Sequence, residues 1–182
     1  MSVDDSNSTV AFPAQHQSRQ PGFEFEMNPR PVSEDRSQVG SEKLSGKVAI
    51  ITGGDSGIGR AVAYAYAKEG ADIAIAFLDE EQDAKETKKR IETLGTRCIL
   101  LPGDLRIESQ CQQVVANTMQ AFGKIDILVN NHAVQFPQQS ILDITAQQLE
   151  NTFQSNLFSF FIWLKQFYHI YLKIVRSLIQ AL

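Results

Sequence analysis

The stretch Thr52-Gly53-Gly54-Asp55-Ser56-Gly57-Ile58-Gly59-Arg60 constrains this chain most. It follows the β-branched run Val48–Thr52 and opens an amphipathic segment, so it reads as a turn from strand to helix. Glycines at this spacing let the turn tighten and bring backbone close to a phosphate. The free N–H groups and positive dipole end of the following helix then face the negative charge. This pattern predicts a dinucleotide pyrophosphate held against Gly53, Asp55, Ser56, Gly57, Ile58 and Gly59, rather than an ordinary glycine-rich turn.

The sequence around this turn repeats the same rhythm. Short apolar runs at Val48–Thr52, 73–77, 98–101 and Ile127–Val129 alternate with longer amphipathic stretches at 57–69, 80–94 and Glu108–Phe122. Each long stretch is closed by a glycine (Gly70, Gly95, Gly123), the residue best suited to the left-handed position after a helix. Strands alternating with helices mean a parallel sheet with helices on both faces. The expected fold is therefore α/β, a Rossmann-like doubly wound parallel sheet, incomplete at about four strands. A further helix should begin at Thr145, where Thr145-x-x-Gln148 has the form of a capping box. No glycine or proline follows between 146 and 182. An uninterrupted helix there would be roughly 55 Å long at 1.5 Å per residue.

Residues 1–45 differ in texture. They hold four of the six prolines, many Ser, Gln and Asn, and no apolar period, so they are expected to form an extended, disordered arm. The apolar side chains of Phe23, Phe25 and Met27 offer a second possibility, docking on a neighbouring subunit. Residues 46–161 form the nucleotide-binding domain and 162–182 an amphipathic helical tail.

Charge and cysteine content narrow the function classes. The net charge of −4 is uneven: all the acids lie in the first 156 residues, and the three charged residues after that point are all basic. The main domain has no basic patch, which argues against a nucleic-acid partner. Cys98 and Cys111 show neither CxxC spacing nor neighbouring histidines, so neither a disulfide framework nor a metal site is expected. The N-terminus has no basic, apolar leader, and a cytoplasmic location is expected. Lys165, His169, Lys173 and Arg176 share one helix face opposite an apolar one. Such a helix packs on a core or a partner subunit, or lies on an anionic surface. A membrane span is not expected, because charges interrupt the apolar run.

Thr52-Gly53-x-x-x-Gly57-Ile58-Gly59 resembles the signature of the short-chain dehydrogenase/reductase family. The longer string to Ala61, with Gln-Pro-Gly and Met-Asn-Pro-Arg-Pro in the arm, is similar to the branch holding bacterial general stress proteins and glucose/ribitol-dehydrogenase-like enzymes. The resemblance runs from about residue 20 to about residue 161. It implies that Asp104, with Leu105 beside it, contacts the adenine ring. Asn130-Asn131-His132-Ala133 is similar to the family's Asn-Asn-Ala-Gly, which implies that Asn130 and Ala133 support the cofactor cleft. His132 stands where a small residue is usual and reads as a spatial substitution, with a proton carrier as the alternative. Asn156 matches the family's mid-helix asparagine, a member of its catalytic tetrad in a locally disturbed helix.

The cofactor implied is NAD or NADP, and the substrate an alcohol, sugar or aldehyde. At the end of the second strand stand Phe77 and Leu78, with Asp79 placed late for a ribose hydroxyl and Arg60 a candidate for a 2′-phosphate. The chemistry of the family needs a Tyr-x-x-x-Lys pair and a serine, and neither has a counterpart downstream of Asn156. Two readings follow. One is an oxidoreductase that moves hydride between NAD(P) and its substrate. The other is a truncated, catalytically inactive chain that retains nucleotide binding or self-association. A fourth strand with an open edge predicts a homo-oligomer.

Overall fold

A computed structural model describes residues 14–180, with side chains described as far as Leu172. Four strands, β1 (Val48–Thr52), β2 (Asp72–Phe77), β3 (Cys98–Pro102) and β4 (Ile127–Val129), form one parallel sheet in the order β3-β2-β1-β4. The helices between them are α1 (Gly57–Lys68), α2 (Glu81–Thr93) and α3 (Glu108–Phe122). Observed and expected boundaries agree within one residue at every strand and helix of this unit.

The two faces of the sheet are built from alternating side chains, as the period of two requires. On one face Ile51, Ile73, Ile75 and Phe77 pack with Ala63, Ala67 and Ile91 from α1 and α2. On the other Ile50, Ala74 and Ala76 meet Cys111 and Val114 of α3, and Trp163 beyond it. Small alanines on this face leave space for the indole. Every residue of β1 is buried, because it has a strand on each side and helices on both faces. β4 is only half-buried and, among the described residues, pairs with β1 alone, which leaves its outer edge open there.

After β4 the chain enters α4 (Ala146–Phe153). The Thr145 hydroxyl accepts the Gln148 N–H at 3.2 Å and the Gln148 side chain accepts the Thr145 N–H at 3.1 Å, so the predicted capping box forms. The helix runs on as a π-helical turn at Gln154–Phe158, then as α5 (Ser159–Gln180). With no glycine or proline to stop it, the chain stays helical and absorbs one wide turn instead of breaking. Trp163, Ile162, Phe167 and Ile170 pack with Val115, Met119 and Phe122 of α3, and Lys165 pairs with Glu108 at 2.9 Å. The opposite side exposes Leu157, Phe161, Leu164, Tyr168 and Tyr171. His169 is exposed, whereas the side chains of Lys173 and Arg176 lie outside the described residues.

Among its described residues, 14–45, the arm has one short helix at Glu24–Glu26 and otherwise no regular structure, yet it lies against the domain. The expectation of disorder is corrected for this part; residues 1–13 lie outside the described ones. Specific charge pairs hold it. Glu34 joins Arg90 at 2.7 Å and Lys68 at 3.0 Å, and the Arg90 hydrogen bond lowers its pKa to about 2. Glu24 is buried against Arg60 and Asp83. Composition cannot register such pairs, since both partners are charged and one lies far along the chain.

Candidate functional site

A cleft of about 340 Å³ opens at the carboxyl ends of the strands, the edge at which open α/β sheets take ligands. Its floor is the glycine turn. The Gly53 N–H donates to the Ala76 carbonyl at 2.7 Å, and the Thr52 hydroxyl bridges β1 to β4 by donating to the Val129 carbonyl at 3.2 Å. The same hydroxyl accepts the N–H groups of Asn131 and His132, at 3.0 and 3.3 Å. The Asn131 carboxamide donates to the carbonyls of Thr52 and Gly53 at 3.2 and 3.0 Å. A side chain on Gly59 would place its Cβ 1.9 Å from the Gly53 carbonyl oxygen, so the close approach of helix to turn requires glycine there.

Gly53, Ser56, Gly57, Ile58, Asp104, Leu105 and Ala133 line the cleft. Among the described residues the N–H groups of Ile58 and Gly59 have no protein partner. These are orphan donors of a helix start. Asp55 does not line the cleft, contrary to its assignment to the pyrophosphate. Its side chain is buried, and its carbonyl accepts from Arg60 Nε at 2.9 Å and from the Thr87 hydroxyl at 2.7 Å. Burial pushes its carboxyl pKa upward.

Arg60 is likewise turned away. It is buried, paired with Glu24 and with Asp83 at 3.1 Å, so the reading of it as a 2′-phosphate ligand is corrected. A buried guanidinium between two carboxylates would take its charge from both if it swung out, leaving Glu24 with no cationic partner among the described residues.

Asp104 sits at the rim beside Arg106, which reaches both of its carboxylate oxygens, Nε at 2.9 Å to one and Nη2 at 2.6 Å to the other. The guanidinium holds the Asp104 carboxyl below the usual carboxylate range. Asn130 is not among the lining residues and its Oδ1 is buried without a hydrogen-bond partner; the carboxamide that ties the turn together belongs to Asn131. Asn156 lies in the π turn, where its Oδ1 accepts the Val134 N–H and its Nδ2 donates to the Val134 carbonyl, both at 2.8 Å. The wide turn and this two-point clamp fix the loop after β4, and Asn151 and Ser155 reach the cleft on either side.

His132 enters the cleft with Nε2 at 2.8 Å from the Ser159 hydroxyl, which itself donates to the Ser155 carbonyl. That hydroxyl proton is committed, so Nε2 carries the hydrogen of the neutral ring and donates to Ser159. Nδ1 is buried and unpartnered. Desolvation lowers the imidazole pKa to about 4 against an opposing pull from Asp104. The ring also meets Phe160 edge to face, with centroids 5.0 Å apart.

Two features escaped sequence reasoning. Glu80 is 2% exposed and lines the cleft just past the end of β2, next to Asp79, the acid read as placed late for a ribose hydroxyl. Its Oε1 lacks a hydrogen bond but lies 3.5 Å from Arg19 Nη2, within ion-pair range. Burial raises its pKa. Asp79 is exposed and pairs with Arg19 instead. The second feature is the arm, whose Gln20 and Pro21 line the same end of the cleft. The spacing Tyr-x-x-x-Lys does occur upstream, at Tyr64 and Lys68, but Tyr64 is buried against α2 and Lys68 pairs with Glu34, both away from the cleft. No cluster of three or more metal-ligating side chains and no helix able to cross a membrane occurs among the described residues.

The short chain dehydrogenase family model matches residues 47–177. The uncharacterized oxidoreductase YhdF of Bacillus subtilis (strain 168) is 63% identical over 147 residues, 81% of this chain and 51% of the relative. General stress protein 39 of the same strain is 55% identical over 161 residues, 88% of this chain and 56% of the relative. The glucose and ribitol dehydrogenase homolog of Oryza sativa subsp. japonica is 44% identical over 162 residues, 85% of this chain and 54% of the relative. A crystal structure of a short chain dehydrogenase from Burkholderia cenocepacia J2315, in complex with NADP, is 34% identical with a TM-score of 0.65, over 68% of this chain and 50% of that one. The chain thus spans about half the length of the curated relatives it matches.

Proposed function

The chain belongs to the short chain dehydrogenase family, and from that premise we propose that its cleft holds a nicotinamide dinucleotide, NAD or NADP. One observation carries the reading. The start of α1 opens on the cleft with the N–H groups of Ile58 and Gly59 unpartnered among the described residues, at a turn that Gly59 keeps free of side chains. A pyrophosphate supplies the acceptors these donors lack. Asp104 and Leu105 line the adenine side, while Ala133 and His132 line the side toward β4.

When bound, the dinucleotide supplies hydride exchange with an alcohol, sugar or aldehyde, which is the class of reaction we assign to the whole protein. The chain's own residues position the cofactor and shape the cleft. His132 is neutral at physiological pH, because burial holds its pKa at about 4. It acts as a hydrogen-bonding wall, not as an acid.

A second reading is favoured by the lining itself. No tyrosine or lysine lines the cleft among the described residues, so the described cleft presents no tyrosine proton donor paired with a lysine. On this reading it binds nucleotide without turnover. Calorimetry with NAD, NADP and ADP, beside NAD(P)H oxidation with a panel of polyols and aldehydes, separates the two. Binding with turnover supports the oxidoreductase, and binding without turnover supports the second reading. Absence of binding by all three nucleotides contradicts both.

A further inference from the structure

One short stretch of the arm touches the cleft at one end and the phosphate-facing helix at the other. Glu24 is 4% exposed. Its Oε2 accepts the Gly57 N–H at 2.5 Å, and its Oε1 pairs with Arg60. Its own N–H donates to Asp83 Oδ2 at 2.8 Å. Arg60 in turn reaches Asp83 Oδ1 at 3.1 Å and the Asp55 carbonyl at 2.9 Å. The arm, the glycine turn, α1 and α2 are thereby joined through Glu24 and Arg60. Four residues earlier, Gln20 and Pro21 line the cleft beside Leu78 and Glu80. The turn carrying them is braced from within: the Gln17 side chain accepts the Phe23 N–H and donates to the Phe23 carbonyl, both at 2.7 Å, and the Arg19 guanidinium lies 4.0 Å from the Phe23 ring centroid.

We propose that residues 19–24 of the arm are part of the nucleotide site, with Glu24 as the residue that positions the start of α1 and Gln20 as a contact on the adenosine side. The inference rests on the nucleotide reading above and deepens it.

Glu24 is not itself a ligand residue. Both of its oxygens are engaged and it does not line the cleft. Its effect is geometric and electrostatic. Gly57 sits at φ +52, where a glycine backbone has many alternatives, and the carboxylate holds it in one. The same carboxylate takes the Gly57 donor and fixes Arg60 away from the cleft, so an incoming phosphate meets Ile58 and Gly59 in a set orientation. Without Glu24, Arg60 keeps Asp83 and the Asp55 carbonyl, but the Gly57 N–H loses its acceptor and the turn relaxes. Gln20 contributes differently. Its exposed carboxamide has no protein partner among the described residues and stands at the end of β2, where the ribose of a dinucleotide comes to lie.

The test is calorimetry on the full chain with ADP, NAD and adenosine as probes, comparing wild type with Glu24→Ala, Glu24→Gln and Gln20→Ala. Loss of a charge-assisted contact that orients the phosphate cradle predicts that Glu24→Ala binds ADP and NAD about tenfold more weakly, with adenosine changed less than about twofold. Glu24→Gln keeps an acceptor for Gly57 and restores part of the loss. Gln20→Ala, at an exposed position that folding does not depend on, weakens all three ligands alike by about threefold. If Glu24→Ala does not fold, as circular dichroism would show, Glu24→Gln and Gln20→Ala decide the matter. Variants that bind all three ligands as the wild type does overturn this inference alone, as does equal loss of ADP and adenosine in Glu24→Ala. A wild-type chain that binds none of the ligands overturns the nucleotide reading, and this inference with it.

Discussion

At position 132 the imidazole is held by a serine on one side and leaves a buried nitrogen without a partner on the other. Its folded pKa of about 4 lies below the ordinary value of 6.5. The unfolded chain therefore binds the extra proton first, and stability falls as pH drops through the window from about 6.5 to about 4, by up to about 3 kcal/mol. His132→Asn removes that slope. Urea unfolding at pH 7.5 and pH 5 checks it, and equal slopes in both proteins contradict the account. Gly59 makes a second prediction. A methyl group there meets the Gly53 carbonyl, so Gly59→Ala loses about 3 kcal/mol or more by urea unfolding and loses nucleotide binding with it. The spacing of Gly53, Gly57 and Gly59 was legible because positive φ at Gly53 and Gly57 and backbone contact at Gly59 disfavour other residue types. The choice between Asn130 and Asn131 was not. Adjacent strand-end residues point to opposite sides, and only the registry of β4 on β1 decides which carboxamide reaches the turn.

At the scale of elements, β1 to α3 could be read from period and glycine stops, since local preference and burial agree there. The cap at Thr145 was equally local. Thr145→Ala removes one oxygen that accepts a helix N–H, and a loss of about 1 kcal/mol in urea unfolding is expected. An unchanged midpoint would mean that the rest of the helix holds its start without the cap. The π turn at Gln154–Phe158 leaves no mark in composition; it was anticipated at Asn156 only through family resemblance. Trp163 anchors α5 on the sheet with 1% exposure, and Trp163→Ala should cost about 3–5 kcal/mol in the same assay. The arm was misread because its binding energy lies in a few charge pairs joined over long separations. Glu24 with Arg60 and Glu34 with Arg90 are examples, and averages over a polar segment do not resolve them.

For the whole molecule, two surfaces stand open on one side. Among the described residues β4 presents an unpaired edge, and the outer face of the π turn and α5 carries Leu157, Phe161, Leu164, Tyr168 and Tyr171 at helical spacing, with Phe161 71% exposed. Apolar area of this kind beside a strand edge favours association. The chain is expected to sediment as an oligomer, and a monodisperse monomer would contradict this. The central claim concerns the cleft rather than the assembly, namely that the glycine turn and the start of α1 receive the phosphates of a nicotinamide dinucleotide. Hydrogen–deuterium exchange at residues 53–60, with and without NAD or ADP, tests it most directly. The account predicts saturable slowing at Ile58 and Gly59, whose N–H groups gain phosphate partners. Exchange there that stays the same at saturating nucleotide would contradict it.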